Sequence, residues 1–114
     1  MPSNSREKSV RAARKKISDE RLIAFLRAAR EESQGVFAVE LACDNLDKGK
    51  SLDELFYDGD VYGYSLWVQS RGEDTYKIAF SCQAGPTAGD GGEWEVVFDG
   101  DTVASISGGM NFIS

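Results

Sequence analysis

An α+β fold, with one or two N-terminal helices packed on a mostly antiparallel sheet of about five strands, is predicted by three observations. Apolar residues before Gly35 recur at helical spacing. Those after it alternate with polar residues, and short clusters of Gly, Asp and Ser separate the alternating stretches.

The clearest helix is SDERLIAFLRAAREESQG. Ser18 is suited to the N-cap, Asp19 and Glu20 complement the helix dipole in the first turn, and Gly35 closes the segment. Leu22, Phe25, Leu26 and Ala29 fall at i, i+3, i+4 and i+7, a single apolar stripe to lay on a core. Upstream, Val10, Ala13 and Ile17 form a thinner stripe whose phase does not continue into the next one. Residues 4–16 are therefore expected as a separate helix or a bent extension. The division is a basic N-terminal helical segment, 1–17, and a single α+β domain, 18–114.

Beyond Gly35 the apparent period is two. VFAVELAC places Phe37, Val39, Leu41 and Cys43 on one face, VYGYSLWVQ places Tyr62, Tyr64, Leu66 and Val68 together, and TYKIAFSCQ does the same with Tyr76, Ile78, Phe80 and Cys82. EWEVVF adds Trp94, Val96 and Phe98. TVASIS offers Thr102, Ala104 and Ile106, which a three-residue connection around Asp99 and Gly100 would bring to the same face. Ser51 and Glu54 in SLDELF have capping-box spacing and predict a short helical turn. A helix followed by a meander resembles the general plan of cystatin-like folds in layout, and layout assigns no function.

The chain has 114 residues, 41% of them hydrophobic, enough for one domain with a modest core. The opening MPSNSREKSVRAARKK has no secretory apolar run and no stretch is long enough to span a membrane, so a cytoplasmic protein without membrane contact is expected. Cys43 and Cys82 are expected as buried thiols. Residues 1–34 hold nine Lys or Arg against five acids, net +4, and residues 35–114 hold four against fourteen, net −10, which together give −6. The acidic body would repel a phosphate backbone. The basic head lacks aromatic residues for base stacking, so a protein partner, or another copy of the chain, is favoured over nucleic acid.

Several chemistries can be set aside. With no histidine, Ser-His-Asp and Cys-His catalysis and imidazole zinc sites are excluded. The stretch CQAGPTAGDGGEW has neither the Lys and Ser/Thr of a P-loop nor a GxGxxG pattern. Gly85, Pro86, Gly89, Gly91 and Gly92 are expected to build a long hairpin connection. DGDVYGYSLWVQ matches calcium-loop positions at Asp58, Asp60 and Gly63, but Tyr62 and Gln69 stand where ligands are required. Glu93 and Glu95 alternate with Trp94 and Val96 and so belong on the solvent side of a strand rather than in a catalytic pair. No catalytic residue, cofactor or metal is expected.

The outer face of the sheet remains. Gly63, Ser65 and Trp67 are expected to point outward beside Lys77, Ala79 and Ser81, with Ala38, Glu95, Val97, Val103 or Ser105 nearby. Trp67 is either covered by the N-terminal helix or the tail MNFIS, or anchors a partner. The expected function is a non-enzymatic acidic protein-binding domain of the adaptor, inhibitor or immunity-protein kind, with Trp67, Lys77, Glu95, Arg11 and Arg14 as contact residues. The alternative is a small-molecule-binding or enzymatic domain whose pocket lies between helix and curved sheet and is lined by Tyr62, Tyr64 and Tyr76.

Overall fold

The change from helical to extended backbone falls between Tyr57 and Tyr64, not at Gly35. The computed structural model describes residues 5–57, 63–82 and 91–110, excepting the side chains of 5–8 and 110. Helices α1 (Ser5–Arg14), α2 (Asp19–Glu32), α3 (Phe37–Asp47) and α4 (Leu52–Tyr57) precede strands β1 (Tyr64–Ser70), β2 (Thr75–Cys82), β3 (Gly91–Asp99) and β4 (Thr102–Met110). The fold is α+β, with a four-stranded antiparallel sheet in the order β1-β2-β3-β4.

The segment expected as the first of five strands is instead α3. Its side chains explain why. Ala38, Val39, Ala42 and Cys43 are all fully buried, as is Val36 at the N-cap, and this is the spacing of a helix face. A strand would have turned Ala38 and Ala42 away from Val39 and Cys43. The alternation of Phe37, Val39, Leu41 and Cys43 is incidental, because between Val36 and Cys43 only Glu40 is polar. The Cys43 thiol donates to the Leu26 carbonyl at 3.4 Å, tying α3 to α2.

The other helix signals form as expected. Ser18 Oγ accepts from the Arg21 amide at 3.2 Å. At α4 the capping box closes in both directions, Ser51 N–H to Glu54 Oε1 at 2.8 Å and Glu54 N–H to Ser51 Oγ at 3.2 Å. Val10, Ala13 and Ile17 are buried, so the basic head is packed on the domain.

Three strands match their sequence patterns, and the fourth corrects one. Asp99 pairs with Thr102 across a two-residue turn, Gly100-Asp101, in place of the expected three-residue connection. Gly100 has φ +64°, the conformation a II′ turn requires at its first central position. Such a turn alone would misalign the strand. An irregularity at Val97/Phe98 absorbs the shift: Val97 pairs with Ser105 but Phe98 with Val103, leaving Ala104 as the extra residue. Ile106 and Val103 therefore pack toward the core, while Thr102 and Ala104 are exposed.

Helices cover the inner face, which carries Tyr64, Leu66, Val68, Tyr76, Ile78, Phe80, Cys82, Trp94, Val96 and Phe98, all buried. Trp94 meets Phe25 of α2 edge-on at 5.5 Å between ring centroids. Its indole N–H donates to Ser33 Oγ at 3.1 Å, and the Ser33 hydroxyl donates to the Gly108 carbonyl at 3.3 Å. Gly91 and Gly92 belong to β3 rather than to the preceding connection, and residues 83–90 lie outside those described. A Cβ on Gly92 would come within 2.7 Å of the Trp94 ring and collide with the Gly109 carbonyl oxygen, so the glycine makes room for the indole.

Arg21, in the first turn of α2, fastens the β1–β2 and β3–β4 turns. Its Nε donates to the Gly100 carbonyl at 2.8 Å and its Nη2 to Asp74 Oδ1 at 2.8 Å, while its guanidinium lies over the Phe98 ring at 5.0 Å. Hydrogen bonding to Asp74 and Tyr76 raises its pKa above the ordinary arginine value.

Trp94→Ala is expected to cost about 3–5 kcal/mol, as loss of a fully buried ring does, and Ser33→Ala about 1 kcal/mol, both in urea unfolding. If both variants unfolded at the wild-type urea midpoint, Trp94 would not be the centre of the core.

Candidate functional site

Strand pairing arranges the outer face in rows. Ser65, Ser81 and Gly91 form one, Trp67, Ala79 and Glu93 a second, Gln69, Lys77, Glu95 and Ser107 a third, and Val97 and Ser105 a fourth. Trp67 is 47% exposed and Val97 37%, the large hydrophobic side chains that stand out among the described residues. Lys77 Nζ lies 3.6 Å from Glu93 Oε2, a surface pair worth about 0–1 kcal/mol. Trp67, Lys77 and Glu95 thus share one surface. Ala38 is buried in α3 instead, and Val103 faces the core, so neither joins them.

At the β1 edge the surface meets α1. A groove of about 170 Å³ is lined by Ser9, Ala12, Ala13 and Lys16 of the α1 segment and by Leu66, Trp67 and Val68 of β1. Leu66 and Val68 point inward and Trp67 outward, so α1 runs along the open edge of the sheet. This also shields an edge strand from pairing with another chain. The helix borders Trp67 without covering it, and the tail residues 111–114 lie outside those described. Sequence reading missed the groove. Its signal was present, since Ser9, Ala12, Ala13 and Lys16 stand at i, i+3, i+4 and i+7.

Arg11 and Arg14 sit elsewhere on α1. With Lys15, Asp19, Asp53 and Tyr57 they line a surface hollow of about 350 Å³ where α1, α4 and the start of α2 meet. Arg14 donates to Asp53 at 2.6 Å and Asp19 at 3.1 Å, and its side chain is 13% exposed. Burial disfavours its charge, but hydrogen bonds to Asp53, Tyr57 and Asp19 outweigh that effect and hold its pKa above the ordinary range. The Arg11 guanidinium lies 4.0 Å from the Tyr57 ring centroid. Both arginines join α1 to its own acidic body, apart from the Trp67 surface.

The tyrosines of the alternative pocket are not brought together. Tyr64 stacks on Phe80 at 5.3 Å, whereas the Tyr76 hydroxyl accepts from Arg21 at 3.3 Å. Tyr64 pairs with Cys82 and Tyr76 with Ser70, which puts them about 20 Å apart at the usual rise per strand residue, with Leu66, Val68, Ile78 and Phe80 between. Tyr62, Asp58 and Asp60 lie outside the described residues. Among the described residues no three His, Cys, Asp or Glu side chains gather where they could hold a metal ion. No protein-family model matches the chain, and neither a curated protein nor a solved structure matches it.

Cys43 and Cys82 are both buried and unbridged. Burial pushes the Cys43 thiol up from its usual pKa, against the pull of Arg30 and Arg27. Because the folded pKa is the higher one, the contribution of Cys43 to stability is intact below the ordinary thiol pKa of about 8.5. It is lost as pH climbs through the raised value. Native protein at pH 7 should resist iodoacetamide at both cysteines and take up two equivalents once unfolded. Cys43→Ala should flatten the loss of stability above about pH 8.5, and rapid native labelling of Cys43 or an unchanged alkaline limb would contradict this assignment.

Proposed function

We propose that this is a non-enzymatic, acidic protein-binding domain of the adaptor, inhibitor or immunity-protein type, which engages its partner with the outer sheet face and the N-terminal helix. The observation that carries this reading is Trp67, 47% exposed on a face whose other large exposed hydrophobic among the described residues is Val97. A tryptophan left in water gains most when a partner desolvates it, and such residues dominate interface energetics. Ala79, Ser65 and Ser81 around it are short enough to let a partner's surface come close.

Charge orients the contact. Lys16 is exposed on the α1 flank beside Trp67, while Glu95 and Asp99 are exposed on β3 with Glu93 partly so. A partner of opposite polarity would be steered into one register, an effect on association rate and specificity more than on affinity. The β3 carboxylates repel a nucleic-acid backbone. Among the described residues no helix is long and apolar enough to cross a membrane. A second copy of the chain is one form the partner can take.

The test is affinity capture from the source cells, followed by titration of the purified partner. Trp67→Ala should weaken binding by more than about thirtyfold, the scale of a hot-spot residue, while leaving the melting temperature close to wild type because the side chain is exposed. Glu95→Lys should slow association and alter its salt dependence. Undiminished partner affinity in Trp67→Ala would sink the proposal.

A further inference from the structure

Resting on that reading, we infer that the groove between α1 and β1 is a specificity pocket for a polypeptide segment that presents one bulky apolar side chain next to a carboxylate. Its volume, about 170 Å³, is below the roughly 300–1,000 Å³ of small-molecule sites and suits a single side chain. Of the apolar residues that line it, Ala12 and Trp67 are exposed while Ala13, Leu66 and Val68 are buried, so an entering aliphatic or aromatic group would gain by covering Ala12 and Trp67.

Lys16 supplies the second requirement. It is exposed at the groove, and it belongs to none of the ion pairs among the described residues, which join Arg14, Arg21, Arg27, Arg30 and Lys77 to acids. The α1 segment is therefore locally cationic at this point, although the chain as a whole carries −6. A carboxylate beside the inserted side chain would meet the ammonium, whereas a basic neighbour would be repelled. Apolar insertion supplies affinity and the lysine selects among apolar segments.

The probes are three capped peptides in a Gly/Ser frame, carrying Leu-Asp, Leu-Lys or Ala-Asp, titrated into the full chain and followed by amide and indole NMR shifts. The Leu-Asp peptide should bind saturably near 1 mM, about the affinity of a single-pocket contact, and move the Trp67 indole together with the Ala12, Lys16 and Val68 amides. Leu-Lys should bind about two- to fivefold more weakly, as a half-exposed ion pair permits. Ala-Asp should bind more than about tenfold more weakly, since most of the apolar contact is gone. Lys16→Glu should reverse the preference between Leu-Lys and Leu-Asp. Ala12→Leu, a good helix former at an exposed position, should fill the groove and abolish binding without lowering the melting temperature.

Absence of saturable Leu-Asp binding, shifts confined to β3 and β4, unchanged selectivity in Lys16→Glu or full binding by Ala12→Leu would each overturn the inference. So would a concentration-dependent dimer that Ala12→Leu dissolves, because a second copy would then be the occupant. If capture of the cellular partner needs Trp67 but is indifferent to Ala12→Leu and Lys16→Glu, the pocket inference fails and the protein-binding reading stands. Capture indifferent to Trp67→Ala removes that reading itself.

Discussion

Much of this fold follows from placing one indole at the centre of a four-stranded sheet. Trp94 is almost entirely buried, so its N–H must find an acceptor inside the protein, and the Ser33 hydroxyl just past α2 provides it. The bond sets where α2 ends relative to β3. Ser33 then donates to the Gly108 carbonyl, which carries the same constraint to β4. The ring also dictates Gly92, because a side chain there would occupy its space, and it dictates Phe25 as the edge-on neighbour from α2. One residue thereby fixes the position of a helix against two strands, and the remaining inner-face residues fill around it.

The charge asymmetry of the chain has a structural role of the same kind. Arg14 binds Asp53, Arg21 binds Asp74, and Arg27 and Arg30 both reach Asp47. Basic side chains of the N-terminal third thus meet three acids of the body, Asp47 in α3, Asp53 in α4 and Asp74 in the β1–β2 turn. Hydrogen bonding to Arg27 accordingly lowers the Asp47 pKa. The pairs are exposed enough that each adds little energy, so apolar burial by Leu22, Phe25, Leu26 and Ala29 holds α2 in place and the arginines specify its orientation. Arginine suits this use because its planar fork can serve several acceptors at once, as Arg21 does at two turns. Lysines 15 and 16 are outside this network and remain exposed.

Residue pattern revealed most of the architecture where polar and apolar positions differ clearly. α2, the capping box of α4 and the strands β1 to β3 all have such contrast, and each forms close to its expected place. α3 has almost none. With one polar residue in eight, VFAVELAC satisfies both periods, and only its packing against Leu26 and the sheet decides for helix. β4 was misread for a different reason: the irregularity beside Phe98 is set by pairing with β3, so the inward positions Val103 and Ile106 cannot be counted from the turn alone. At the candidate surface, the alternation of β1 was enough to turn Trp67 outward. Alternation says nothing of α1, whose position along the β1 edge depends on tertiary contacts, and that position turns Arg11 and Arg14 toward α4 rather than toward Trp67.

The position of α1 brings together parts of the chain that are distant in sequence. Ser9, Ala12, Ala13 and Lys16 lie fifty or more positions before Leu66, Trp67 and Val68 in sequence, yet together they line one groove beside the exposed indole. Neither wall exists without the other. α1 is held by the burial of Val10 and Ala13, with Ile17 just beyond its end, and by the Arg14 pairs on its far side. The sheet is organised separately, through Trp94 and the Arg21 clasp. α1 thus supplies one wall of the groove and one flank of positive charge, and the sheet supplies the face that holds Trp67, Lys77 and Glu95 in register. An edge helix that protects a strand from pairing with other chains thus also forms one wall of the groove beside Trp67.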